Sequence, residues 1–116
     1  MTRTLPGFHP SRSRALARGN HACVVAVAEN RDAPMYEQAA QAFADAQNSL
    51  QKLDFAKDDI VAVNVFLSDM QGKAEMNRAW QEWMSGMAHP PVRACLGAEL
   101  EPGYLIEVVV TALKAD

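Results

Sequence analysis

Two charged residues interrupt apolar β-patterns: Arg93 within PPVRACLGAEL and Glu107 within YLIEVVVTAL. A charge inside a sheet needs a partner, a ligand or water, because burying it unpaired is very costly. A guanidinium at position 93 suits a carboxylate ligand, which its planar fork meets with two parallel hydrogen bonds. It equally suits a structural ion pair at a sheet edge. A carboxylate at position 107 can hold or activate a water, or relay a proton; the bland alternative is an acid paired with an Arg or Lys of the same or another chain. Cys95 shares the strand face of Arg93. A thiol near an Arg can become reactive, or it can simply be a small buried side chain. Asn77, among apolar neighbours on a helix, reads as a capping or interfacial hydrogen bond or as a ligand contact. Asn64 reads as a backbone hydrogen bond, His89 as loop structure, and Trp80 and Trp83 as core. The sequence has no Gly-rich phosphate loop, no His/Cys/carboxylate metal set and no GxSxG. No cofactor and no metal are therefore expected.

The elements that position these residues follow from periodicity and turn chemistry. Residues 1–12, with Pro6, Gly7 and Pro10, read as an irregular lead-in, and 13–116 as a single domain. The runs 13–18 and 21–28 flank Gly19-Asn20 as a β-hairpin. Asp32 is placed to cap a helix whose first turn takes Pro34. From Met35 the stripe Ala39, Ala42, Phe43, Ala46, Leu50 and Leu53 is helical, with Glu37, Gln38, Gln41, Asp45 and Gln51 opposite. A strand follows at 60–68, then a second helix at about 73–84 with Met76, Ala79, Trp80, Trp83 and Met84 on its apolar face. Pro90-Pro91 extends the chain. The segments 92–100 and 104–113 read as a closing hairpin about Glu101-Pro102-Gly103. That pairing sets Glu107 opposite Gly97 and Arg93 opposite Thr111. Arg93 and Glu107 then share a face, offset by roughly 13 Å along the strand, with Gly97 keeping the surface beside Glu107 open. The order is ββαβαββ, an α+β domain.

The chain has 116 residues, 49% of them apolar, and a net charge of −3. That length supports one core, and the acidic balance offers no electrostatic capture of nucleic acid or anionic membrane. No apolar run reaches the ~18 residues of a membrane span. The start, MTRTLPGFHPSRSR, lacks the apolar core of a secretory signal, so a cytoplasmic location with Cys23 and Cys95 as reduced thiols is expected. Two helices cover only one face of such a sheet, yet 60–67 and 104–113 are apolar on both faces. An exposed apolar sheet face is an association surface, which implies a closed homo-oligomer.

MNRAW before the double-Pro segment, then PPVRACLGAEL, a short turn and YLIEVVVTA, resembles the RidA (YjgF-type) family of imine deaminases. AWQEW and GMAHPPVRA resemble its YoaB-like branch most. The resemblance covers about residues 13–113 and is most specific over 76–110. It implies a chorismate mutase-like homotrimer with a ligand cleft at each subunit boundary. It implies a cofactor-free hydrolysis of 2-imino or enamino acids to 2-keto acids and ammonia. Under it, Arg93 matches the arginine that grips the substrate carboxylate and Cys95 the cysteine near it. Glu107 matches the acid associated with the hydrolytic water, and Asn77 the cleft-lining asparagine. The stretch that carries a closing tyrosine in the active deaminases reads HPSRSRAL here, and their Ser-Gly is Val25-Ala26. These departures favour an alternative, a non-catalytic trimer that binds a small carboxylate such as a 2-keto acid. A third reading is an interaction protein in which both charges are structural.

Overall fold

Gly19 adopts a left-handed conformation, with φ of 54°, and turns the chain between Arg18 and His21. Few residues other than glycine take that conformation without strain, and a two-residue loop of this kind matches the twist of the strands it joins. The computed structural model, which describes residues 1–115, builds outward from this hairpin. Its elements are β1 (Thr2–Pro6), β2 (Ser13–Arg18), β3 (His21–Val27), α1 (Met35–Lys52), β4 (Ile60–Leu67), α2 (Lys73–Met84), β5 (Val92–Gly97) and β6 (Ile106–Leu113). The fold is α+β: a six-stranded sheet in the order β1-β2-β3-β6-β4-β5, with both helices on one face.

The lead-in contains a strand the sequence reading lacks, so the order is βββαβαββ. Thr2–Pro6 pairs antiparallel with β2 and alternates exposed and half-buried side chains. It lies at the sheet edge, where a terminal proline costs no ladder hydrogen bond. Only the connection 7–12 is irregular.

The larger correction concerns β5 and β6, which do not form a hairpin. β5 runs parallel to β4, with Val63 beside Arg93 and Val65 beside Cys95. β6 inserts between β3 and β4, antiparallel to both. The segment β4–α2–β5 is a strand–helix–strand unit, and a helix crossover is what parallel neighbours require. The turn at Glu101–Gly103 belongs to a longer connection that carries the chain from the β5 edge across to β6.

The helix stripe holds as expected: Ala39, Ala42, Phe43, Ala46 and Leu50 are buried. Phe43 stacks on Trp83 at 4.8 Å between ring centroids and meets Trp80 edge-on. Asp32 does not cap α1; Pro34 holds the N-cap position, and the Asp32 N–H instead donates to Asn30 Oδ1. Gln38, expected on the solvent face, is fully buried.

On the sheet, burial alternates. Ile106, Val108, Val110 and Ala112 of β6 are buried under the helices, whereas Glu107, Val109 and Thr111 are half-buried on the bare face. That bare face also shows Val25, Val92 and Leu96 to solvent, and Leu113 at its end. No described helix is long and apolar enough to cross a membrane.

Candidate functional site

The register of β5 puts Arg93 on the helix-covered side of an edge strand, beside buried Val63. There α2 supplies its partners. Arg93 Nη1 donates to Asn77 Oδ1 at 2.8 Å and approaches Met76 Sδ at 3.7 Å. The guanidinium carbon lies 5.0 Å from the centre of the Trp80 ring, within range of a cation–π contact. Helical spacing brings Asn77 and Trp80, three residues apart, onto adjoining faces of α2. Asn77 thus makes an interfacial hydrogen bond, with Arg93 as its partner. Cys95 points the same way, half-buried against the core.

Among the described residues none of the Arg93 contacts carries a negative charge. Among the described residues the ion pairs are Arg3–Asp54 and Glu75–Arg78, both at the surface. A half-buried guanidinium with only neutral partners keeps most of its five N–H donors available to an anion.

Glu107 lies on the opposite face. It pairs with Val27 on β3 and Phe66 on β4, all three on the bare side of the sheet. The shared face expected for Arg93 and Glu107 is therefore overturned. Strand order is the cause: with β4 between β5 and β6, the pairing register differs from that of a hairpin, and a one-residue change in register reverses a side chain's face. Gly97 does not open the surface beside Glu107 either; it pairs with Leu67, and a Cβ there would meet Met70 Cγ at 3.4 Å.

The structure brings together Arg93, Cys95 and Asn77, and separates Glu107 from them by the thickness of the sheet. Glu107 opens into its own cleft of about 640 Å³, lined also by Phe8, Arg12, Arg14, Val27, Arg31, Glu101 and Tyr104. Its carboxylate has no hydrogen bond or ion pair among the described residues. Arg14 belongs to this cleft because Ala15 and Ala17, its neighbours in alternation, point under the helices; Arg14 Nη1 donates to Pro6 O at 3.2 Å.

Arg31 is held more firmly. Nη2 donates to the Tyr104 hydroxyl at 3.0 Å and Nη1 to Pro102 O at 3.3 Å, with the guanidinium 4.4 Å from the centre of the Tyr104 ring. Gly103, at φ of 90°, is required twice over: the backbone is left-handed, and a Cβ would stand 2.9 Å from Arg31 Cδ.

Gln38 fixes this wall from beneath. Its Nε2 donates to Arg31 O at 3.2 Å, Ala33 O at 2.9 Å and Gly103 O at 3.0 Å, and its Oε1 accepts from Leu105 N at 2.9 Å. One buried amide thus joins the 31–33 loop to the turn that leads into Glu107.

Sequence reasoning missed Arg14, Arg31, Tyr104 and Gln38. Tyr104, three residues before Glu107, carried the one available signal, an aromatic beside an embedded acid. Among the described residues no three or more His, Cys, Asp or Glu side chains converge as a metal site.

Residues 20–114 match the family model described as endoribonuclease L-PSP. The chain is 37% identical over 87 residues to the RutC family protein YoaB of Escherichia coli, covering 74% of this chain and 75% of that one. A RutC family protein of Haemophilus ducreyi is 38% identical over 85 residues, covering 72% of this chain and 70% of the relative. The solved structure of NMB1025, a YjgF protein family member from Neisseria meningitidis, superposes with a TM-score of 0.89. It is 30% identical, and the match covers 100% of this chain and 97% of that one.

Proposed function

Since this chain belongs to the YjgF/RutC family, the family of the L-PSP model, we propose that it is a homotrimeric, cofactor-free hydrolase of small 2-imino or enamino acids. The observation that carries this reading is the half-buried Arg93 guanidinium, whose partners among the described residues, Asn77 and Trp80 with Met76, are all neutral. Such a group is poised for a carboxylate. Because Glu107 stands on the other face of the sheet, a site using both residues is formed between copies, with Arg93 from one and Glu107 from its neighbour. The bare, largely apolar face supports the same assembly: closing it against two other copies removes an exposed apolar surface that a monomer would leave to water.

In this mechanism Arg93 orients the substrate through its carboxylate, with Asn77 fixing the guanidinium and Cys95 lining the same side. Glu107 holds a water, accepts its proton as oxygen attacks the imine carbon and passes it to nitrogen; the resulting carbinolamine hydroxyl then gives its proton through Glu107 to nitrogen as the C–N bond breaks, leaving the keto group and ammonia. Imine and water give 2-keto acid and ammonia, with no redox change. Positioning and general base help supply the rate. The matching family model is that of an endoribonuclease, and a solved structure of similar fold from Thermotoga maritima is named a putative endoribonuclease. A net charge of −3 lacks the positive field that draws a polyanion to a protein.

A second reading, a non-catalytic trimer binding a 2-keto acid, is favoured by two specific features. Among the described residues Glu107 has no partner to orient it, and the N-terminal stretch that lines its cleft contributes arginines and Phe8 rather than a tyrosine.

The deciding experiment couples a dehydratase that generates 2-iminobutanoate to a keto-acid readout. The enzyme reading expects acceleration by the wild type and a loss of about 10²–10⁴ in rate for Glu107→Gln, with 2-ketobutyrate still bound. Binding of 2-ketobutyrate without any acceleration would establish the second reading instead.

A further inference from the structure

The Glu107 cleft is lined by three arginines, Arg12, Arg14 and Arg31, against two carboxylates, Glu101 and Glu107, a positive surplus that a short aliphatic imino acid cannot use. Such a substrate has one carboxylate, and the proposed function assigns that group to Arg93 of a neighbouring copy. Yet Arg14 and Arg31 both line the cleft on the Glu107 side, and neither is ion-paired among the described residues. Their hydrogen bonds run to neutral oxygens: Arg14 to Pro6 O, Arg31 to Pro102 O and the Tyr104 hydroxyl.

Arg31 is also pre-organised. A long surface arginine normally samples many rotamers, and ordering it on binding costs affinity. Here the side chain, although exposed, is already held by several contacts. It packs over Gly103, stacks on Tyr104 and makes two hydrogen bonds, while Gln38 anchors its own carbonyl. Two of its five N–H donors are used, which leaves a face free to bind an anion. A guanidinium held in place by neutral partners at the wall of a cleft is the arrangement expected of an anion site.

We infer that Arg14 and Arg31, with the Tyr104 hydroxyl, form a second anion subsite, so that the preferred ligand is a 2-imino or 2-keto acid carrying a distal carboxylate. The inference rests on the proposed function, which places the first carboxylate on Arg93. The Glu107 carboxylate then lies between the two anionic ends, beside the carbon that bears nitrogen. It also discourages an aliphatic tail from entering the same space: burying that tail against two charged side chains would desolvate them without compensation.

The test is calorimetric titration of the full-length protein with 2-ketobutyrate, which has one carboxylate, and 2-ketoglutarate, which has two. The wild type should bind 2-ketoglutarate at least about tenfold more tightly, the value of one charge-assisted hydrogen bond. Arg31→Ala and Arg14→Ala should each erase most of that margin while changing 2-ketobutyrate affinity far less. Arg31→Lys should restore part of it, which loss of packing alone would not. Equal affinities for the two acids, or a margin untouched by both alanine variants, overturns the inference while leaving Arg93 as a carboxylate site. Failure of both acids to bind overturns the proposed function and this inference together. A preference for the diacid that survives Arg93→Ala but not Arg31→Ala supports the second subsite and removes Arg93 from the first.

Discussion

Replacing Gln38 by leucine tests whether one buried amide holds the wall of the Glu107 cleft. Leucine is close in size, so the change removes polar atoms more than volume. The Leu105 N–H loses its acceptor, and the carbonyls of Arg31, Ala33 and Gly103 lose their donor. An amide nitrogen has two hydrogens, so one of its three contacts is shared. The loss therefore amounts to three hydrogen bonds rather than four. Each buried group left unsatisfied costs ~1–3 kcal/mol, and the apolar burial gained from leucine offsets ~1–2 kcal/mol. Three such losses come to ~3–9 kcal/mol, so the net loss is ~1–8 kcal/mol, which for a domain of this size lowers Tm by at least about 4 °C. Thermal melts at one fixed protein concentration measure it, since assembly makes Tm concentration-dependent. Amide exchange adds a local readout: the Leu105 N–H should lose protection while the amides of β4 keep theirs. Gln38→Glu should be worse than leucine at neutral pH, because it sets a buried carboxylate against three carbonyl oxygens. A Tm within about 2 °C of wild type, with Leu105 still protected, would refute the reasoning and mean that water replaces the amide.

Other expectations follow from the same geometry. Arg93→Ala should abolish binding of a 2-keto acid, a loss on the order of 2–5 kcal/mol for a buried charged pair, and Arg93→Lys should retain part of it. Unfolding or dissociation of Arg93→Ala with ligand affinity intact would show that the residue is structural. Sedimentation at micromolar concentration should give three times 12.7 kDa, and Val109→Asp, in the middle of the bare face, should shift it toward monomer; a monomeric wild type defeats the intersubunit site. The hydroxyl of Tyr36 donates to Glu82 Oε1, and that bond, followed by burial, raises the phenol above its ordinary value of 10.0. A raised acid stabilises the fold fully below the unfolded pKa and loses that contribution as pH rises through the folded one. The Tm advantage of wild type over Tyr36→Phe should therefore be constant below about pH 9 and shrink above about pH 10; an advantage that grows with pH would reverse the assignment.

Both helices were legible because a period of 3.6 is local: Ala39, Ala42, Phe43, Ala46 and Leu50 name the buried stripe without knowledge of what covers it. The hairpin at Gly19-Asn20 was legible for the same reason, since its turn chemistry lies within two residues. Arg93 and Glu107 stood out because each breaks an apolar run. Gln38 did not, because a polar residue read as lying opposite an apolar stripe looks the same whether it meets water or three carbonyl groups.

What the chain determined by itself was the inventory: two amphipathic helices, apolar strands, two embedded charges and the motifs that mark the family. Tertiary structure alone decided which strands are neighbours. β6 inserts between β3 and β4, and β5 lies parallel to β4 at the edge. That choice put Arg93 under the helices and Glu107 on the bare face, and it gathered Arg14, Arg31 and Tyr104 from three separate segments around Glu107. Strand pairing is non-local. Its free energy comes from the whole sheet and the helices packed on it, and a one-residue change of register reverses every side chain on a strand. No window of sequence contains that information, so the face on which a charge stands could be read only from the assembled sheet.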